Sequence, residues 1–235
     1  MTTPARSPNR DRLVRTARRL GPCLADVVFV GGQMTELLVT DPAAIRPRPT
    51  DDVDVVVRVT TRTAYHRLQE RLRDIGFMPD TRPGAPICRV RTADDLVLDV
   101  MPLDEDILGF TNRWYPLALD TAELIELEPG MRIGAITAPA FLATKWEAYR
   151  DRGAADPMTS HDLEDVITLV MGRQRIIEEV ETLPPEARRF IAEATRDFLA
   201  GPWAEEIVMG NLPDARGLPG IADVVLLRLR ALAGR

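Results

Sequence analysis

An apolar run, Val27-Val28-Phe29-Val30, stops at the glycine pair Gly31-Gly32, and a second run opens on two acids in Asp52-Val53-Asp54-Val55-Val56-Val57. Short runs rich in β-branched side chains and bounded by turn residues read as buried strands. The two glycines allow a sharp turn, and Gln33 onward to residue 39 reads as a short helix whose first N–H groups point back at that turn, an arrangement suited to phosphate. Side chains alternate along a strand, so Asp52, Asp54 and Val56 share one face while Val53, Val55 and Val57 share the other. Two carboxylates therefore project side by side from one strand end.

Carboxylates that close repel one another unless a cation lies between them, and Mg²⁺ is commonly held by one or two carboxylates together with substrate phosphates. A third carboxylate is expected from a neighbouring strand. Asp99 is the candidate, as the one acid inside Leu96-Val97-Leu98-Asp99-Val100-Met101. The alternative for Asp99 is an acid at a strand end facing solvent. Asp52, Asp54 and Asp99 are the expected metal ligands.

This ordered set, a glycine pair, a strand with Asp-x-Asp and a later strand with one more Asp, resembles the nucleotidyltransferase superfamily with the polymerase-β-type fold. Arg48-x-Thr50-x-Asp52-Val53-Asp54, with the later Lys145 and Asp162, is similar to the AbiEii/MenT group of bacterial nucleotidyltransferase toxins, over about residues 25–171. The resemblance implies transfer of a nucleoside monophosphate from an NTP to an acceptor hydroxyl, with two Mg²⁺ ions. The acceptor it implies is RNA, foremost the 3′ end of tRNA, and it implies a toxin paired with an antitoxin protein. Asp52, Asp54, Asp99, Lys145 and Asp162 would be catalytic. Gly31, Gly32, Gln33, Arg48, Thr50 and Lys145 would contact the nucleotide. The chain departs from the pattern at His161, where Lys or Arg is frequent, and at Gln33, where a Ser or Thr hydroxyl is common. A small-molecule nucleotidyltransferase of the aminoglycoside type and a non-catalytic nucleotide- or partner-binding relative remain alternatives.

Lys145 also stands out on its own. Of 30 basic residues it is the single lysine. Thr137 and Pro139 mark a helix start and Gly153 its end, and Leu142, Trp146 and Tyr149 form the buried stripe beside which Lys145 falls. Arginine would snorkel from a core edge equally well, whereas a compact ammonium suits a phosphate in a confined site. On the next helix, capped by Ser160, Asp162 lies beside the Val166, Leu169 and Val170 face. Glu164 and Asp165 are expected to serve only the helix dipole, with Asp165 pointing away.

The remaining organisation is that of an ordinary globular chain. Its 235 residues are 45% hydrophobic and 28% charged, enough for a sizeable core. No apolar stretch reaches membrane-spanning length and residues 1–10 lack the apolar core of a signal peptide, so no membrane partner and a cytoplasmic location are expected. The net charge of −6 argues against coating nucleic acid by bulk attraction, though not against a local basic groove. Cys23 and Cys88 read as small buried apolar residues.

In chain order, residues 1–10 are expected to fray, 11–20 to form an amphipathic helix, and 41–49 to form a loop carrying Arg46 and Arg48. A helix is expected over 61–76, capped by Thr61 or Thr63, and His66 on it is given no role. A strand follows at 87–91, with a turn at Asp94-Asp95. Asp104-Glu105-Asp106 reads as a solvated turn, and 123–127 with 131–136 as a hairpin. Beyond Gly172, helices are expected over 176–183, 186–199, 202–209 and 221–233. The expected fold is α/β (α+β), a nucleotidyltransferase-like mixed sheet with flanking helices over 1–137, joined to an α-helical region over 138–235 that contributes Lys145 and Asp162.

Overall fold

A computed structural model describes residues 7–42, 44, 46–212 and 220–234. The chain divides into two compact units, one of Met1–Glu36 with Arg48–Ile136, the other of Leu37–Pro47 with Thr137–Arg235. Among the described residues no helix is long and apolar enough to cross a membrane.

The first unit is a mixed sheet with flanking helices. Helix α1 (Pro8–Leu20) is followed by strand β1 (Val27–Val30), a five-residue helix α2 (Met34–Leu38) and strand β2 (Val53–Val57). Helix α3 (Arg62–Asp74) leads to β3 (Met78–Pro79), β4 (Arg89–Arg91) and β5 (Val97–Met101). Two short helices, α4 (Glu105–Leu108) and α5 (Tyr115–Asp120), precede the hairpin β6 (Glu123–Glu128) and β7 (Met131–Ala135). The seven strands lie in the order β3-β4-β5-β2-β1-β7-β6. Strand β2 runs antiparallel to β1 and parallel to β5, and β1 runs parallel to β7.

The central strands are apolar on both faces because helices cover them. All four residues of β1 are buried, as are four of the five in β2. Helix α3 turns Tyr65, Leu68 and Leu72 inward, and the Tyr65 hydroxyl donates to the Val100 carbonyl of β5 at 2.9 Å. Thr61 caps α3 by accepting from the Ala64 N–H. Helix α1 begins earlier than the sequence pattern implies: Ser7 is its N-cap, accepting from the Arg10 N–H at 3.1 Å, and Pro8 opens the first turn. The frayed tail expected over 1–10 therefore does not reach residue 7, and residues 1–6 lie outside those described. Asp104 is likewise a cap, accepting from the Asp106 N–H at the start of α4.

The second unit is helical. Helix α6 (Ala138–Ala148) passes into a π-helical turn (Tyr149–Gly153), followed by α7 (His161–Gly172), α8 (Ile176–Val180), α9 (Pro185–Leu199), α10 (Ala204–Gly210) and α11 (Ile221–Leu232). Helices α6 and α7 are its centre. Trp146 is wholly buried and packs with Tyr149 and Phe198 at centroid distances of 5.7 and 5.8 Å. The segment Leu37–Pro47 joins this unit through the Gly172 carbonyl, which accepts from the N–H groups of Thr40 and Asp41 at 2.9 Å.

Candidate active site

Register across the sheet of the first unit assembles one row of side chains. Val30 of β1 pairs with Asp54 of β2, Asp54 with Asp99 of β5, and Asp99 with Arg89 of β4. Residues directly opposite one another project to the same face, and Asp52 shares that face by the period of two. Asp52, Asp54, Asp99 and Arg89 thus emerge together, and Asp99 is buried, not at a solvent-facing strand end.

Gly31 sets the approach to Asp54. Its φ is +76°, and a Cβ built on it would lie 1.9 Å from Asp54 Oδ2. The chain leaving β1 therefore passes over the carboxylate with no room for a side chain, and glycine is required on both counts. The turn itself closes on local bonds. Met34 and Thr35 donate their N–H groups to the carbonyls of Gly31 and Gly32 at 3.1 and 3.2 Å. The expectation that the first N–H groups of this helix face the turn as a phosphate cradle is corrected for these two, which are spent within the chain. Gln33 is fully buried and neither end of its side-chain amide has a hydrogen-bond partner.

Arg89 bridges two acids of the row. Its Nε donates to Asp99 Oδ1 and its Nη2 to Asp99 Oδ2, each at 2.8 Å, and Nη2 also donates to Asp52 Oδ2 at 2.5 Å. The hydrogen bonds to Asp99 raise the guanidinium pKa against the cost of burial. Burial, with Asp99 and Asp54 nearby, pushes the Cys88 thiol up to about 12, so this cysteine stays protonated. Beside the row lies a cavity of about 320 Å³ whose wall includes Arg12, Asp51, Asp52, Arg82, Arg89 and Arg91.

Three carboxylates are the right kind of donor for a hard divalent cation. Their arrangement does not fit one, however, because Arg89 takes both oxygens of Asp99 and one of Asp52. Among the described residues no three acids, histidines or cysteines are grouped so as to hold a metal ion.

The loop leading into β2 is fixed by one side chain. The Asn9 amide, 2% exposed, donates to the Arg48 carbonyl at 2.9 Å and accepts from the Thr50 N–H at 3.0 Å. Arg48 and Thr50 are thereby held in the approach to Asp52.

The second unit has its own buried charge cluster. Lys145 Nζ lies 3.0 Å from Asp162 Oδ1 and 2.7 Å from Asp165 Oδ2, and Arg152 donates to both oxygens of Asp162 at 2.8 and 3.1 Å. Lys145, Asp162 and Asp165 are 8%, 5% and 2% exposed. Burial alone would lower the Lys145 pKa, but the two carboxylates reverse this and raise it. For Asp162 burial works upward and is outweighed by Lys145 and Arg152, which hold it below the usual carboxylate range. The π-helical turn delivers Arg152, and it closes tightly: a Cβ on Gly153 would lie 2.3 Å from the Ser160 hydroxyl that caps α7.

Asp165 overturns the expectation that it points away and serves only the helix dipole. Helix α7 is apolar on almost every side because it is the central helix, so no polar face exists for Asp165 to occupy. Positions three apart are neighbours on a helix, which lets Asp162 and Asp165 grip one ammonium. That spacing was visible in the sequence. Arg89 and Asn9 were not recognisable there, since each acts through strand register or a loop contact.

The chain matches no protein-family model and no curated protein. Solved structures similar to it include an antigenic nucleotidyltransferase-like protein from Paracoccidioides brasiliensis, 19% identical, with 86% of this chain and 93% of that chain covered at a TM-score of 0.48. Another is a protein from H. pylori assigned as a candidate nucleotidyltransferase, 11% identical, with 96% and 94% covered at a TM-score of 0.43.

Proposed function

We propose that the protein is a nucleotidyltransferase that moves a nucleoside monophosphate from an NTP to an acceptor hydroxyl. The observation that carries this reading is the register that sets Asp54 beside Asp99, with Asp52 on the same face and the Gly31 turn passing over Asp54. A new bond forms between the acceptor oxygen and the α-phosphorus, the bond from that phosphorus to the bridging oxygen breaks, and pyrophosphate leaves while the hydroxyl proton passes to solvent. Fixed charges around this transfer do most of the protein's work in such chemistry.

In this reading Asp52, Asp54 and Asp99 would hold the Mg²⁺ that accompanies the triphosphate only where Arg89 gives up the oxygens of Asp99 and Asp52. Gly31 and Gly32 let the backbone approach the nucleotide. Arg48 and Thr50, held by Asn9, are its further contacts. Asp162 and Asp165 hold Lys145 charged and in one position. The proposal extends to an RNA acceptor, foremost the 3′ end of tRNA, and to a toxin controlled by an antitoxin protein, through the residues Arg48, Thr50, Asp52, Asp54, Lys145 and Asp162 that match that pattern.

The test is incubation of wild type and Asp54→Ala with total tRNA, Mg²⁺ and each α-labelled NTP in turn. Label on RNA from one NTP, reduced by at least about a hundredfold in the variant, is the expected result. Pyrophosphate released only with small hydroxylated acceptors would move the acceptor to a small molecule. Absence of transfer to every acceptor would overturn the reading.

A further inference from the structure

Arg89 already occupies, with a fixed positive charge, the place where the acid row would take a cation. We propose that Arg89 is a gate: its guanidinium and a divalent cation compete for Asp52 and Asp99, so cation uptake requires Arg89 to withdraw. This rests on the reading of Asp52, Asp54 and Asp99 as the cation-holding acids of a nucleotidyltransferase.

Arg89 uses both oxygens of Asp99 and Oδ2 of Asp52 in charge-assisted bonds of 2.5–2.8 Å. A divalent cation on those same oxygens would sit within a few ångströms of the guanidinium, and in a half-buried site two positive charges that close repel strongly. The two occupants exclude each other. The pairing is also built in by register, because Arg89 stands directly opposite Asp99 across β4 and β5. It is not a chance contact of a surface side chain.

Withdrawal has somewhere to lead. The cavity of about 320 Å³ is bounded by Arg89 itself and by Asp51 and Asp95. The Asp51 side chain is fully exposed and its contact with Arg12 is long, 3.5 Å. Asp95 is already paired with Arg91 and the wall also carries Arg12 and Arg82, so Asp51 is the carboxylate that a guanidinium turned away from Asp99 would meet, and the swing exchanges three strong bonds for one exposed partner. The acid row in this state is closed, and opens by rotation of one side chain.

The experiment is titration of full-length wild type, Arg89→Gln and Arg89→Lys with Mn²⁺ alone, the free ion counted by electron paramagnetic resonance. Arg89→Gln removes the competing charge and is expected to bind Mn²⁺ about tenfold tighter than wild type. Arg89→Lys keeps a charge but cannot fork across Asp99 and Asp52, and is expected to fall between the two. If Arg89→Gln does not fold, as judged by circular dichroism, the lysine variant carries the comparison. Wild type and variants binding Mn²⁺ equally, or the variants more weakly, would overturn the gate and leave the cation-site reading standing. No Mn²⁺ bound by any of the three would overturn both.

Discussion

A methyl group added at Gly31 has nowhere to go. The φ of +76° already excludes most L-residues, and the added carbon would overlap the Asp54 carboxylate. Gly31→Ala is therefore expected to lower stability by about 1–3 kcal/mol, read by urea denaturation, and to reduce nucleotide transfer further than that loss accounts for, because Asp54 has to move. A variant with wild-type transfer would show that Asp54's position is unimportant. Residues of this kind divide sharply in how legible they were. Gly31 and Asp54 announce themselves, a glycine at a strand end and an acid in an apolar run. Asn9 does not: it sits in a polar stretch, and its value lies in reaching Arg48 and Thr50 some forty positions on, which no local pattern encodes. Arg89 is similar, one arginine among many until the strand register sets it against Asp99.

Elements add what single residues lack, and α6 with α7 shows how. Lys145 comes from one helix and both acids from the other, so the charge cluster also locks the two together. Lys145→Met would leave two buried carboxylates without their shared ammonium, and is expected to cost about 3–5 kcal/mol at neutral pH. The pH dependence has a definite sign. In wild type Asp162 is held below its ordinary value of 3.8, so its contribution is complete above that value and is lost as pH falls through the lower native one. In Lys145→Met the strongest influence that lowers the Asp162 pKa is gone and burial pushes it upward, so the deficit should shrink as pH is lowered from 7 towards 4.5. Urea denaturation of both proteins at the two pH values checks it, and a deficit that is constant or widens would contradict the account. The helices themselves were legible from caps and periodicity. The orientation of Asp165 was not, because wheel geometry assumes one buried stripe and α7 is buried nearly all round.

At the scale of the whole molecule the alternation of strands and helices followed by helices alone was enough to read a mixed sheet and a helical region. What it did not reveal is that residues 37–47 belong with the helical unit, since a loop carries no periodicity and its allegiance is decided by bonds to Gly172 and Arg173. Charge is the other property that belongs to the whole chain. A net charge of −6 provides no bulk attraction to nucleic acid, so the RNA acceptor proposed above would have to be held by a few local arginines. Arg12, Arg82 and Arg91 on one cavity wall are such a group, each of which would exchange a carboxylate partner, Asp51, Asp80 and Asp95 respectively, for a phosphate. Three phosphate contacts to a single strand give a log–log salt slope near −2, which predicts a rise in the KM for RNA of roughly 15- to 20-fold between 50 and 200 mM salt. A protein that coats RNA electrostatically would show a far steeper loss, and an enzyme with an uncharged small acceptor almost none. Transfer kinetics measured across that salt range, with NTP saturating throughout, separate the three. A flat response would exclude the local arginine group as the RNA contact, and a steep one would require a basic surface that a chain of this net charge has to concentrate elsewhere.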